Sequence, residues 1–302
     1  MKYYPEGTNA ALFRKFESKE ELKEAMKNSQ IAEGKVLLCD KDKNLHIDLG
    51  FCRGIIPYKE GAFGIQEGTL RDIALISKVN KKVCFRIIGF HRLESGERIA
   101  VLSRRSVQIE CLRNYIEKLK AGDIISAAVT HIENFGAFID IGCGINSLIP
   151  IDMLSVSRIS SPSQRLSEGQ IIKTVLRKRE EGKLTFSLKE LLGTWEENAA
   201  MFCSGETVGG IVRSVEPYGV FIELAPNLAG LAEYSPSLRE GQNVSVYIKS
   251  ILPEKMKIKL AVVEAFDEYG AKPELKYFVS KSHISSWNYS PPNADKIIQT
   301  VF

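Results

Sequence analysis

From residue 122 onward, apolar and polar residues alternate in short runs. Ile125, Ala127 and Val129 share one face of a first run, and Ala137, Ile139 and Ile141 one face of the next. Ile172, Thr174 and Leu176 follow, then Leu184, Phe186 and Leu188. Past residue 205 the pattern returns as Val220, Ile222 and Leu224, then Val244, Val246 and Ile248, then Met256, Ile258 and Leu260. A period of two predicts strands with one face turned to a core. Between the runs the period lengthens. Leu112, Tyr115, Ile116 and Leu119 form a helical stripe, as do Leu188, Leu191, Leu192 and Trp195, each read as a seam packed on a sheet. Ser18 and Glu21 predict a capping box for a helix over residues 19–29.

The recurrence is a repeat. Gly122 to Phe138 reads GDIISAAVTHIENFGAF, and Gly205 to Phe221 reads GETVGGIVRSVEPYGVF. An offset of 83 aligns Val129 with Val212, Phe135 with Tyr218, Gly136 with Gly219, Phe138 with Phe221, Asp140 with Glu223 and Leu148 with Leu231. Glu168-Gly169-Gln170 then meets Glu240-Gly241-Gln242 at an offset of 72, so the earlier copy carries an insertion around Ser155 to Pro162. Ser- and Pro-rich insertions belong in loops. A weaker copy lies upstream, where Leu45-His46-Ile47-Asp48-Leu49-Gly50 resembles Ala137-Phe138-Ile139-Asp140-Ile141-Gly142. There Asp42-Lys43-Asn44 replaces the aromatic-glycine turn.

About five short strands per copy, with glycine-rich turns, suit a small, partly open barrel of the OB type. The predicted fold is therefore mainly β, three tandem five-stranded barrels joined by short helices. Boundaries follow: an N-terminal segment and helix over 1–30, a divergent barrel over 31–106, a linker helix over 107–120, a barrel over 121–188, a linker helix over 189–204, a barrel over 205–262 and a tail over 263–302. The tail, with Trp287 and Tyr289, is left open between packing on a barrel and docking on another protein.

Composition adds little until it is divided. The 302 residues are 44% apolar and 26% charged, with a formal charge of +4. The first 121 residues hold 23 Lys and Arg against 16 Asp and Glu, whereas 122–190 hold 8 against 8 and 205–262 hold 6 against 6. The surplus thus belongs to the N-terminal third, as a solvated basic face or a surface that attracts phosphate. No apolar run is long enough to span a bilayer, and the N-terminus lacks the apolar core of a signal peptide, so a cytoplasmic protein is expected. The six cysteines form no C-x-x-C pair, and no phosphate-binding loop, G-x-S-x-G or H-E-x-x-H is found. No enzyme, cofactor or metal is expected.

The alternation also places the aromatics. Phe138 shares the outward face of its strand with Asp140, and Phe221 shares its own with Glu223. Outward rings beside charge suit base stacking; the competing reading packs them beneath a loop or linker helix. Lys255, Lys257 and Lys259 alternate with Met256, Ile258 and Leu260, while in the earlier copy Arg177 and Arg179 face away from Leu176 and Lys183 heads the last strand. Rings interleaved with cations suit single-stranded nucleic acid, although a solvated lysine edge also protects a sheet from pairing. His46 takes the outward position in the first copy, beside Asp48.

At Asn134-Phe135-Gly136-Ala137-Phe138-Ile139-Asp140, Glu168-Gly169-Gln170 and Gly182-Lys183-Leu184-Thr185-Phe186-Ser187 the sequence resembles the ribosomal S-one RNA-binding domain. Pro217-Tyr218-Gly219-Val220-Phe221-Ile222-Glu223 and Lys257-Ile258-Lys259-Leu260-Ala261 resemble it again, and the likeness extends over roughly residues 31–262. As a whole the chain is similar to the short multi-repeat members of that family in Gram-positive bacteria. The resemblance implies OB-fold barrels that hold single-stranded RNA with little sequence preference. It implies that Phe135 and Phe138, and Tyr218 and Phe221, face RNA, joined by Lys183 and Lys257. The family's histidine after the third strand is replaced by Pro57, Pro150 and Glu233. The expected partners are single-stranded mRNA and, as candidates, proteins of the small ribosomal subunit. A protein-docking scaffold and an RNA-turnover factor built on the same barrels are the competing readings.

Overall fold

The computed structural model describes residues 3–92, 96–180 and 182–302. Its strands form three five-stranded sheets, each closed on itself. The first holds β1 (Ala32–Cys39), β2 (Leu45–Asp48), β3 (Arg53–Ile56), β4 (Lys82–Arg92) and β5 (Arg98–Ser103), in the order β1-β2-β3-β5-β4. The second holds β6 (Ile124–Glu133), β7 (Gly136–Asp140), β8 (Asn146–Pro150), β9 (Ile171–Glu180) and β10 (Lys183–Ser187). The third holds β11 (Thr207–Glu216), β12 (Gly219–Ala225), β13 (Leu228–Ala232), β14 (Gln242–Leu252) and β15 (Lys257–Tyr269). In each ring the third strand pairs in parallel with the fifth. By contacts the chain divides into two compact units, Met1–Leu119 with Asp140–Asn146, and Lys120–Ile139 with Ser147–Phe302.

Alternating apolar residues fill each ring. Val36, Leu45, Ile47, Ile56, Phe85 and Leu102 form the first core, closed on one side by Phe16 and by Leu22 of α1 (Lys19–Lys27). Ser18 caps α1 by accepting from the Glu21 N–H at 3.2 Å. A four-residue helix, α2 (Ile73–Ile76), lies between β3 and β4. Val212, Val220, Ile222, Val246, Ile258 and Leu260 fill the third ring.

The linkers are less helical than the stripes suggest. α3 (Arg105–Asn114) buries Val107 and Cys111 and stops before Tyr115, giving way to a 3-10 turn over Ile116–Lys118. Leu188, Leu191, Leu192 and Trp195 are all buried, but not on one helix. Gly193, at φ +86°, interrupts them, and Thr194 and Glu197 then build a capping box that starts α4 (Trp195–Ala199). β15 continues to Tyr269, past residue 262, because its second half pairs with the start of β14 as an exposed ribbon.

Within the second unit the tail packs back. Trp287, on β16 (Ser286–Asn288), and Tyr289 join the third core, and β16 pairs with β17 (Gln299–Val301). The Tyr289 hydroxyl donates to the Asn227 carbonyl at 2.5 Å, and the Thr300 hydroxyl donates to Glu190 at 3.0 Å. The insertion packs here too: the Val156 N–H donates to the Asn227 side chain at 3.0 Å. Among the described residues no helix is long and apolar enough to cross a membrane.

Candidate nucleic-acid interface

Two hairpin turns carry the rings. A Cβ on Gly136 would lie 2.5 Å from the Ile149 carbonyl oxygen, and one on Gly219 would lie 2.6 Å from that of Ala232. Glycine is therefore required for the neighbouring strand to approach so closely. The close approach fixes the residues on either side. Phe135 is 56% exposed and meets Phe138 edge to face at 6.0 Å. Tyr218 is 70% exposed and meets Phe221 edge to face at 6.2 Å. In each pair one ring stands in solvent and the other is half-buried, bracing it.

Register places cations beside the third-sheet pair. Phe221 pairs with Leu231, and Leu231 with Lys259, so a ring, an exposed leucine and a lysine form one row across β12, β13 and β15. Lys257 lies two residues earlier on the same face of β15. Lys255 does not share that face. It ends the turn Pro253–Lys255, and Met256, at φ +47°, interrupts the alternation before β15 begins. Beside this row Glu233 accepts from Lys249 at 2.8 Å, and that hydrogen bond holds its carboxyl below the usual range.

In the second sheet Thr185 stands where Lys259 stands in the third, paired with Leu148 on one side and Lys178 on the other. Lys183 is exposed at the start of β10, opposite Glu180. Arg179 lies opposite Leu184. Arg177 turns elsewhere: it donates to the Val301 carbonyl at 3.0 Å, and its guanidinium lies 5.6 Å from the centre of the Phe302 ring. The tail therefore occupies Arg177.

The charged neighbours of the rings are not exposed as alternation implies. Glu223 is buried and accepts from Arg165 at 2.7 and 2.5 Å and from Arg213 at 2.8 and 3.2 Å. Arg165 comes from the segment beyond the insertion, which covers that part of the outward face. Asp140, within the first unit, is also buried and accepts from the backbone N–H groups of Glu6, Gly142 and Gly144. Burial, followed by the charge of nearby Glu6, raises its carboxyl above the usual range. Period two assigns a face correctly but not whether another segment covers it.

His46 does face outward, yet Asp40 holds it, not Asp48. Its Nε2 lies 2.9 Å from the Asp40 carboxylate, whereas Asp48 pairs with Lys15 at 2.7 Å. His46 is mostly buried, so it offers no open ring.

Sequence reasoning passed over His131. Its ring stacks on Phe138 at 6.5 Å with 19° between the planes, extending the ring cluster to three. Its two nitrogens lie 2.8 Å from Glu168 and 2.9 Å from Glu133, and those hydrogen bonds raise its pKa. Strict alternation puts His131 on the buried face of Val129. In the third sheet the matching residues, Val212 and Ser214, flank a register shift that turns the strand. The repeat alignment was the available signal.

Residues 118–189 match the family model "S1 RNA binding domain". That match spans less than half of the chain. Phe135, Phe138 and Lys183 fall inside the matched segment, and Tyr218 and Phe221 lie outside it, in the later copy. The chain is similar to small ribosomal subunit protein bS1 of Leuconostoc lactis, 28% identical over 248 residues that cover 76% of this chain and 54% of that protein. It is similar to bS1 of Staphylococcus aureus strain COL at 28% over 259 residues, covering 80% of this chain and 63% of that one. The chain thus spans less than two thirds of either relative. Among solved structures, a multidomain protein with nucleic acid binding domains from Streptococcus pneumoniae aligns at 13% identity and a TM-score of 0.26, covering 78% of this chain and 74% of that one, too slight a likeness to argue from.

Proposed function

We propose that this chain is an S1-domain protein that holds single-stranded RNA on tandem OB-type barrels without catalysing a reaction on it. The observation that carries the reading is the edge-to-face ring pair that recurs at the glycine turns of the second and third sheets. An exposed ring on a braced partner offers a rigid platform for any base, which suits binding with little sequence preference. The row Phe221, Leu231 and Lys259 sets a cation one strand beyond such a platform, where a phosphate follows its base. The matched RNA-binding family model and the likeness to bS1 support mRNA as the ligand and translation at the small ribosomal subunit, in the cytoplasm, as the setting. Burial of Trp287 in the third core removes the ring on which a docking scaffold would most plainly rest.

Filter binding of the full chain to a uridine-rich single strand at two salt concentrations tests the reading. Retention at low salt that weakens with added salt is expected, because each neutralised phosphate contributes about 0.7 to the logarithmic salt slope. No retention at low salt overturns it.

A further inference from the structure

The first unit carries the basic surplus but no aromatic glycine turn. Two of its exposed rings, Phe51 and Phe90, lie with four cations at the other end of the sheet, where the β4–β5 hairpin meets the loop after β2 and the helix α1. A groove of about 370 Å3 lies there, lined by Lys19, Lys23, Phe51, Phe90, Arg92 and Arg98. Buried Leu22 and Ile99 contribute apolar lining. Phe51 is 54% exposed and Phe90 39% exposed.

Two features mark the groove as more than a basic surface. Arg92 and Arg98 are direct cross-strand partners, and Phe90 lies two residues before Arg92 on the same face. Like charges directly opposite in a sheet repel, so the fold bears a cost there that an anion would relieve. Among the described residues, moreover, no carboxylate lies within ion-pair distance of Lys19, Lys23, Arg92 or Arg98. Glu97, next to Arg98 in sequence, is paired with Arg53 at 3.6 Å. Elsewhere in this unit some cations are paired: Lys15 with Asp48, Lys43 with Asp72 and Arg105 with Glu67.

We propose that this groove is a separate single-stranded RNA site, in which Phe51 and Phe90 stack on bases while Lys19, Lys23, Arg92 and Arg98 hold phosphates. The proposal rests on the RNA-binding reading above but assigns the first barrel a different face from the one the ring-bearing turns use. Rings spaced among unpaired cations over an apolar floor match a strand that alternates base and phosphate. A small inorganic anion would need the cations and not the rings.

The test compares full-length chains in uridine-rich RNA binding. Arg92→Ala with Arg98→Ala should lower the logarithmic salt slope by about 1.4, at about 0.7 per phosphate, and weaken binding at low salt. Phe51→Leu with Phe90→Leu keeps apolar cover and removes stacking; it should weaken binding about 5-fold or more while leaving the slope unchanged. Photocrosslinking to uridine should label Phe51 or Phe90 in the wild type. Wild-type affinity and slope in both double variants, with crosslinks confined to the two glycine turns, would overturn this site and leave the wider reading intact. A wild-type chain that retains no RNA at low salt overturns the wider reading itself. Loss of slope without any effect of the ring variant overturns the RNA assignment in favour of a plain anion site.

Discussion

The first and third hairpins occupy the same place in two copies of one fold and use their side chains in opposite ways. In the turn between β1 and β2, Asp40 accepts from the N–H groups of Asp42 and Asn44, from the Asn44 amide and from His46, all within 3.0 Å. Lys43 and the Tyr58 hydroxyl both donate to Asp72. The Asp40 carboxylate is thus satisfied inside the turn, although the buried Nδ1 of His46 has no partner among the described residues. Between β11 and β12 the close approach at Gly219 fixes the backbone instead, leaving Tyr218 in solvent and Phe221 as its support. A hairpin closed by side-chain hydrogen bonds is self-contained, while one closed by a glycine has its side chains left over for a ligand.

The sharpest way to break this comparison is to remove rings. Phe138→Ala should weaken single-stranded RNA binding by about 5- to 150-fold, the equivalent of one stacked base at 1–3 kcal/mol. His46→Ala should change it less than 2-fold, since that ring serves the Asp40 network. Titration by fluorescence anisotropy checks both, and equal losses would show that the first turn contacts RNA as the second does.

The converse lies in stability. Asp40→Ala removes the shared acceptor and should cost about 1–2 kcal/mol in denaturant unfolding, with RNA affinity unchanged. The effect should fade in acid. Burial raises the Asp40 carboxyl, but hydrogen bonds from His46 and Asn44 outweigh it and bring its pKa down to about 2. A depressed carboxylate contributes stability above its unfolded pKa and loses it as pH falls toward 2. Wild type and variant should therefore converge as acid is added; a constant gap down to pH 2 would remove the network from the account.

Smaller again is the cation contrast. Lys259→Ala takes the lysine from the row that starts at Phe221 and should weaken RNA binding a few-fold and lower the logarithmic salt slope by about 0.7. Lys255→Ala, in the turn, should do neither. The reverse ranking would restore an unbroken lysine face through residue 255.

These contrasts also show what the sequence made legible. Strand alternation and the offset of 83 located the core faces, the glycine turns and all four rings, because those features are local and repeat. What escaped depends on residues far apart in sequence. Glu223 reads as an outward charge until Arg165 covers it, and Arg177 reads as free until Val301 and Phe302 reach it. His131 escaped for a different reason: at the matching place in the third sheet a register shift falls between Val212 and Ser214, and strict alternation cannot foresee one.

His131 supplies the finest distinction between the two ring-bearing turns, because the third sheet has Ser214 at the matching place. Hydrogen bonds that its ring donates to Glu168 and then Glu133 raise its pKa above 6.5. The imidazolium is therefore favoured in the folded chain; its contribution is complete below pH 6.5 and is lost as pH rises through the raised value. Its NMR titration should show a midpoint above 6.5 that moves down in a chain carrying Glu133→Gln and Glu168→Gln. A positive ring stacked on Phe138 also draws phosphate, so RNA affinity should fall a few-fold as pH rises from 6 to 8, and His131→Ser should flatten that dependence. A pH dependence that survives His131→Ser would have to come from another group, and the two turns would then differ in position but not in chemistry.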